Sequence, residues 1–214
     1  MNRRDLLTTS FCAFSVGIIP SVGRADGAAR RSFKILRDGS DIGRHTLSAR
    51  RTADAFEIRI EIDIAVKFLG ITAYRYELEN TERWQGGQIL SIDSRANDDG
   101  DREYVKISRG GDALEIDGSG YSGSGPLGAA TTSYYAKPFL ERRPWISTQS
   151  GKLLEISTAR EATGRYQVTG ELTTELFYDD RGEWMGSEFD AGGERARYEV
   201  LEDVGQIAAL WADA

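Results

Sequence analysis

Strict alternation of apolar and charged side chains is the strongest pattern in the chain. It runs through the stretch FEIRIEIDIAVKF, residues 56–68, where every second residue is Phe, Ile or Val and most of the residues between are charged. A period of two places one set on each face of an extended strand, whereas an amphipathic helix needs apolar residues three and four apart. The stretch therefore predicts a half-buried β-strand with one face on the core and the other in water.

Short turn-forming sequences separate further stretches of this kind. They combine Gly with Asp, Arg or a second Gly, which favours tight turns between antiparallel strands: Asp38-Gly39, Gly86-Gly87, Gly110-Gly111, Asp180-Arg181-Gly182 and Gly192-Gly193. The spacing predicts about ten strands in an all-β fold, a single antiparallel meander curved into a half-barrel or open barrel. We expect one domain over residues 26–214.

One segment breaks the alternation, between residues 126 and 148. It predicts an irregular region with one short helix, in which Pro138 occupies the first turn and Pro144 stops the helix. Just before it, Gly118 to Gly123 spell G-x-G-x-x-G, the spacing of a dinucleotide-binding turn. That motif needs a helix opening on its last glycine, but the sequence continues SGPLGAATT, a poor helix start. We interpret the stretch as a glycine-rich loop and predict no cofactor.

The first 25 residues have the three regions of an export signal. Arg3-Arg4 precede a mildly apolar run from Leu6 to Ile19, and Gly23-Arg24-Ala25 places small residues where a signal peptidase cleaves. The paired arginines favour the twin-arginine export machinery as a partner, and an ordinary general-secretory signal is the alternative. We therefore expect a periplasmic protein cleaved after Ala25, with no transmembrane anchor in the mature chain.

Charge and composition narrow the chemistry further. The formal net charge is −7, and because the first 25 residues carry three arginines and one aspartate, the remainder stands at −9. Such an acidic chain lacks the clustered Lys and Arg that nucleic acids require, so no nucleic-acid partner is expected. The only cysteine, Cys12, lies in the predicted leader, and His45 is the only histidine. Neither a histidine metal cluster nor a Ser-His-Asp site in a G-x-S-x-G context is predicted, and no catalytic residue is assigned.

Large aromatic side chains are the remaining candidates for function. Those at strand ends can pack in the core, or they can line an apolar pocket on the concave side of a curved sheet. Together with His45, the residues predicted to contact a ligand are Trp84, Tyr134, Tyr135 and Trp145.

Four segments of the chain resemble an uncharacterised group of exported bacterial proteins, classed only as a domain of unknown function. They are FKILRDGSDIGRH, ERWQGGQILSIDSRANDDG, TTSYYAKPFLERRPWISTQSGKL and LFYDDRGEWMGSEF, in this order along the chain. The resemblance implies a strongly curved antiparallel sheet, a half-barrel akin to periplasmic carriers of lipids and lipoproteins. It implies no activity, cofactor or catalytic residue.

Two functional hypotheses follow from these observations. The first is a non-enzymatic periplasmic binding or scaffold domain for an apolar small molecule or an envelope protein, with the irregular segment as a lid. The alternative is a hydrolase or lyase that works through carboxylates. It predicts two acids and an aromatic side chain in one cleft, with at least one raised carboxyl pKa.

Overall fold

The computed structural model describes residues 27–52, 55–68 and 70–212, so the predicted leader with Arg3 and Arg4 lies outside the described residues. The first half of the chain forms eight antiparallel strands joined by tight turns. These are β1 (Ala28–Arg37), β2 (Ser40–Arg51), β3 (Phe56–Phe68), β4 (Ile71–Gln85), β5 (Gln88–Asp98), β6 (Asp101–Gly110), β7 (Ala113–Gly118) and β8 (Ser122–Pro126). The alternating stretch at residues 56–68 is the whole of β3, as its period of two predicts.

An irregular segment, residues 127–155, follows β8, and we call it the strap. It contains a 3-10 helix (Lys137–Glu141) near the predicted helix position and three two-residue strands, β9 (Ala130–Thr131), β10 (Trp145–Ile146) and β11 (Leu153–Leu154). The short strands pair with one another in a small sheet. The strap is therefore held together by its own backbone hydrogen bonds, and its buried side chains pack against the core.

Antiparallel strands resume after the strap, and a short helix follows the last of them. Its elements are β12 (Ile156–Ala162), β13 (Arg165–Gly170), β14 (Thr174–Tyr178), β15 (Trp184–Asp190), β16 (Arg195–Val204) and α1 (Ile207–Ala212). Because β16 pairs with β1, the two halves merge into one thirteen-stranded sheet with β1 in its interior and β8 and β12 at its edges. The sheet is curved and open, as predicted, but it has more strands than the predicted ten.

The glycine-rich stretch from Gly118 is part of a strand hairpin and not the loop that the sequence predicted, since Ser122–Pro126 forms β8 beside β7. Its glycines allow two layers to approach closely. A Cβ on Gly118 would lie 2.5 Å from the backbone oxygen of Ser150 in the strap. No helix follows Gly123, so the geometry of a dinucleotide-binding turn is absent from this part of the chain.

The strap is fixed to β4 by one buried carboxyl group. Glu82 is fully buried, and its Oε1 accepts hydrogen bonds from Ser133 at 2.5 Å and Asn80 at 2.9 Å. Its Oε2 accepts from the Trp84 indole at 2.9 Å and the Tyr135 hydroxyl at 3.1 Å. Burial raises the pKa of Glu82, while these hydrogen bonds act in the opposite direction. Removing this acceptor would leave buried donors unpaired, at about 1–3 kcal/mol each.

A second buried carboxyl group holds the C-terminal helix α1, which the sequence analysis did not predict. Glu183 accepts hydrogen bonds from the backbone N–H groups of Ile207 at 3.1 Å and Ala208 at 2.9 Å. The same carboxylate pairs with the buried guanidinium of Arg31 at 3.0 Å. Burial raises the pKa of Glu183, and the charge of Arg31 opposes that shift. The pair joins β1, β15 and the first turn of α1.

Candidate ligand-binding cavity

A cavity of about 550 Å³ lies between the inward face of β2 to β5, the strap, and the β14–β16 part of the sheet. On β3, Ile58 and Ile60 face inward and lie in the core. The alternation continues along the strand, so Ile62 and Ile64 face the same way and lie on the cavity wall. Six aromatic rings line it: His45, Tyr74, Tyr76, Tyr134, Phe189 and Tyr198. The remaining lining residues are aliphatic, polar and acidic, so the cavity combines aromatic rings with polar groups inside an open sheet.

His45 on β2 is the most deeply buried of these rings, at 3% exposure. Its Nδ1 lies 3.3 Å from the Tyr198 hydroxyl, and its Nε2 is buried with no hydrogen-bond partner among the described residues. The ring packs against both Trp184 and Tyr198, with centroids 5.2 and 5.5 Å away. Burial lowers the pKa of His45 from its ordinary 6.5 to about 3. The imidazole is therefore neutral at physiological pH, and its Nε2 has no partner among the described residues.

Tyr134 brings the strap to the cavity wall in an unusual backbone conformation. Its φ is +58°, in the left-handed region that bulky side chains rarely adopt. The Tyr178 hydroxyl donates to its backbone oxygen at 2.8 Å, and its ring lies 5.7 Å from Trp145 and 5.9 Å from Trp184. Such backbone strain costs about 1–3 kcal/mol and persists only where the surroundings enforce it. Here those contacts hold the tyrosine ring at the cavity.

A hydrogen-bonded group of polar side chains closes one side of the cavity. The Tyr74 hydroxyl donates to Asp98 at 2.8 Å, and the amide of Gln149 in the strap donates to the other oxygen of Asp98 at 3.3 Å. The Tyr76 hydroxyl donates to Gln149 at 3.3 Å. Burial is the first cause that raises the pKa of both tyrosines, followed for Tyr74 by its hydrogen bond to Asp98. These contacts link β4, β5 and the strap around neutral phenols.

The structure separates the residues predicted to bind a ligand into two groups. His45 and Tyr134 line the cavity. Trp84, Tyr135 and Trp145 are at most 1% exposed and belong to the packed core under the strap. Trp84 stacks on Phe139 at 5.1 Å, and its indole N–H is already bonded to a buried carboxylate. A ligand role for those three residues stays a prediction.

Sequence reasoning did not select Tyr74, Tyr76 and Tyr198 as site residues. The signal was present for the first two, because they alternate with charged residues in AYRYELEN and so share the inward face of β4 with Leu78. Tyr198 alternates with charged residues in RARYEV in the same way and was one of the large aromatic side chains considered for a pocket wall, but the pattern does not show which site it reaches. It reaches the site only because β16 pairs with β1, a contact between the two ends of the sheet.

A surface depression and two buried carboxyl groups are further candidate sites in the described residues. A depression of about 750 Å³ lies on the outer face of β2 to β6, lined mostly by charged side chains. The carboxyl groups with a raised pKa, Glu82 and Glu183, lie outside the cavity and are engaged with the strap and α1. The hydrolase or lyase alternative therefore gains no support from them and stays a hypothesis.

The described residues contain neither a metal-binding cluster nor a membrane-spanning helix. Residues 27–52, 55–68 and 70–212 include no grouping of three or more His, Cys, Asp or Glu that could hold a metal ion. Over the same ranges, no helix has the length and apolar character needed to cross a bilayer.

One solved structure supports the all-β fold of this chain. A β-barrel-like protein of the DUF1849 domain of unknown function from Brucella abortus is similar over 84% of this chain and 98% of its own, with 8% identity and a TM-score of 0.53. A DUF1089 family protein from Pseudomonas aeruginosa covers 64% of this chain and 85% of its own, with 12% identity and a TM-score of 0.42. No curated protein matches. A family model described as a domain of unknown function, DUF6134, matches residues 33–201.

Proposed function

Since the chain belongs to the DUF6134 family of domains of unknown function, we propose its role from the cavity: it is an exported periplasmic binding protein that holds an apolar or amphipathic small molecule. One observation carries the proposal. The lining of the cavity of about 550 Å³ includes aromatic rings and two residues, His45 and Ser187, whose buried polar atoms have no partner among the described residues. Small-molecule sites are mostly apolar clefts of this size with a few polar groups that orient the ligand.

The unsatisfied polar atoms are the most specific part of that argument. His45 and Ser187 line the cavity at 3% exposure each, and the Nε2 of the first and the Oγ of the second have no partner among the described residues. A buried polar atom without a partner costs about 1–3 kcal/mol. A ligand hydroxyl or amine that bonds either atom would recover this free energy. Their position on an aromatic wall suits a ligand with an apolar body and one polar end.

The predicted leader supplies the location in this proposal. Arg3 and Arg4 followed by an apolar run are typical of a twin-arginine signal, and a carrier of apolar molecules has a physical purpose in the periplasm, because such molecules do not cross water unaided. The open sheet supports the proposal too, since an unclosed edge leaves a route by which a ligand could enter. An envelope protein seated in the cavity is the other outcome that the first experiment would reveal.

The first test is to isolate the mature protein from the periplasmic fraction and record its native mass, followed by extraction with an organic solvent. We expect a bound molecule of low mass that the solvent removes. An apo mass would argue against ligand binding, and a chain found only in the cytoplasm would argue against export to the periplasm.

A second test locates the ligand in the cavity. The mature apo protein is titrated with N-phenyl-1-naphthylamine, an uncharged dye that fluoresces in apolar surroundings. Ile64→Trp places an indole in the cavity wall, and Ile71→Trp makes the same change on a 74% exposed side chain of the neighbouring strand. We expect the first variant to lose most of the dye binding and the second to keep it. Leu172→Trp repeats the test from the opposite wall if the first variant does not fold. Equal binding by all of the folded variants would show that the dye lies elsewhere.

A further inference from the structure

The cavity carries charge of one sign only. Three acidic residues line it, Asp98, Glu171 and Asp190, and the lining contains no Lys or Arg. The single histidine on the wall is buried and without a cationic role. Because carboxylates repel an anion and attract a cation, the cavity's charge favours one ligand head group over another of equal size. This deepens the proposed function and rests on it.

The three carboxylates are not neutralised by neighbouring cations. Among the described residues, Asp98 accepts hydrogen bonds from the Tyr74 hydroxyl and the Gln149 amide, and Glu171 accepts one from the backbone N–H of Glu155 at 2.7 Å. Asp190 accepts the backbone N–H of Gly193 at 3.0 Å. Among the described residues, none of the three takes part in an ion pair with Arg or Lys. Their charge therefore remains available to a ligand.

Two basic side chains, Arg165 and Arg195, face an adjoining depression that shares Thr173, Thr174, Phe189 and Asp190 with the cavity. Arg165 is paired with Glu175 at 2.6 Å, and Arg195 is paired with Glu188. Each guanidinium thus has its own carboxylate, and this part of the rim contributes no excess positive charge. The negative charge on the cavity wall is therefore not neutralised by these two arginine side chains.

The aromatic wall favours the same class of ligand. The faces of tyrosine and phenylalanine rings carry negative potential and attract cations within about 6 Å of the ring centre. Tyr134, Tyr198 and Phe189 lie together on one side of the cavity, with Tyr198 6.3 Å from Phe189. Tyr74 and Tyr76 lie on the other side, next to Asp98. Aromatic rings beside carboxylates are typical surroundings of a bound organic ammonium group, and these carboxylates have no ion pair among the described residues.

From this arrangement we propose that the cavity takes an amphipathic organic cation, an amine or quaternary ammonium group on an apolar body, and disfavours the corresponding carboxylic acid. The ammonium group lies among Asp98, Glu171 and Asp190, and the apolar body packs against the tyrosine rings and the inward side chains of β3. The buried nitrogen of His45 and the hydroxyl of Ser187 form hydrogen bonds with any polar group that the ligand carries beside its ammonium group.

The test compares three ligands with the same twelve-carbon chain and different head groups: dodecyltrimethylammonium, dodecanol and dodecanoate. Each is used below its micelle concentration to displace N-phenyl-1-naphthylamine from the mature protein at pH near 7. We expect the cation to displace the dye at a concentration on the order of tenfold lower than dodecanoate, with the alcohol between them.

A charge-matched pair of variants identifies the source of any preference. Glu171→Gln with Asp190→Asn removes two exposed carboxylates at the cavity, whereas Glu161→Gln with Asp112→Asn removes two exposed carboxylates that do not line it. We expect the first pair to lose most of the preference for the cation and the second pair to retain it. An equal loss in both pairs would assign the preference to net charge and overturn the inference.

The outcomes separate the two proposals. Dye binding without a preference for the cation, or with a preference for dodecanoate, overturns the ligand class and leaves the binding function standing. Dye binding that Ile64→Trp and Leu172→Trp do not affect removes the cavity as a binding site, and the ligand class with it.

Discussion

The buried imidazole of His45 makes a sharp prediction about acid sensitivity. The folded state holds the pKa of this ring near 3 by burial, while the unfolded chain returns it to 6.5. As pH falls below 6.5, the unfolded state therefore binds a proton that the folded state refuses, and the free energy of unfolding decreases. The stability is complete above pH 6.5 and is lost progressively toward pH 3.

The magnitude follows from the same two pKa values. Each unit of pH between them costs about 1.4 kcal/mol, so the loss due to this residue between pH 7 and pH 5 is about 2 kcal/mol. His45→Gln keeps a hydrogen-bonding side chain that does not titrate in this range. The unfolding free energy of the native protein minus that of the variant should therefore fall by about 2 kcal/mol between pH 7 and pH 5, since all other titrating groups are common to both.

Urea unfolding at several pH values, followed by tryptophan fluorescence, measures that difference. Because the sequence contains one histidine, a proton NMR titration of its ring offers an independent measurement on the folded protein. The imidazole signals should not move between pH 7 and 5 in the folded state, and should titrate near 6.5 in urea. A folded-state midpoint near 6.5, or a constant stability difference between the two proteins, would refute the argument that burial without a charged partner controls this ring.

Two further predictions concern the framework around the cavity. Arg31→Met should destabilise the protein by about 3–5 kcal/mol, because it leaves the Glu183 carboxylate buried and unpaired. Arg30→Met, which removes an exposed ion pair from the adjacent residue, should cost less than about 1 kcal/mol in the same urea titration. Gly118→Ala should cost about 1–3 kcal/mol, because its Cβ would overlap a carbonyl oxygen of the strap, and a thermal melt should show it. Gly128→Ala, with open space around the new methyl group, should melt with the native protein, and equal effects of the two alanines would contradict the packing argument.

Local patterns in the sequence were sufficient for the strands and the turns between them. The alternation in residues 56–68 defines β3, and Asp38-Gly39 adopts the positive φ values of a tight turn between β1 and β2. These features depend on neighbours two to four residues away, whose preferences a single sequence records. The 3-10 helix near Pro138 was predicted for the same reason.

Local patterns failed where a residue's role depends on a distant segment. Gly118 to Gly123 have a loop-like composition, but they pack as a strand hairpin because the strap lies within 2.5 Å of where a Cβ would stand. Helix α1 is short and weakly patterned, and it is held by Glu183 from another part of the chain. Composition carries no information on such contacts, since each requires two segments to meet in space.

The sequence by itself therefore determined an all-β chain with its strand faces, its turns and an irregular segment near the middle, because short-range periodicity and turn chemistry are written into neighbouring residues. Only the tertiary structure decided that β16 pairs with β1, and that the strap packs across the inward face of the sheet. Those long-range contacts bring Tyr198 to His45 and enclose the cavity with Tyr134. The same packing seals Trp84 and Trp145 in the core. Whether an aromatic ring faces a cavity or a neighbour is a property of the assembled layers, and no local pattern contains it.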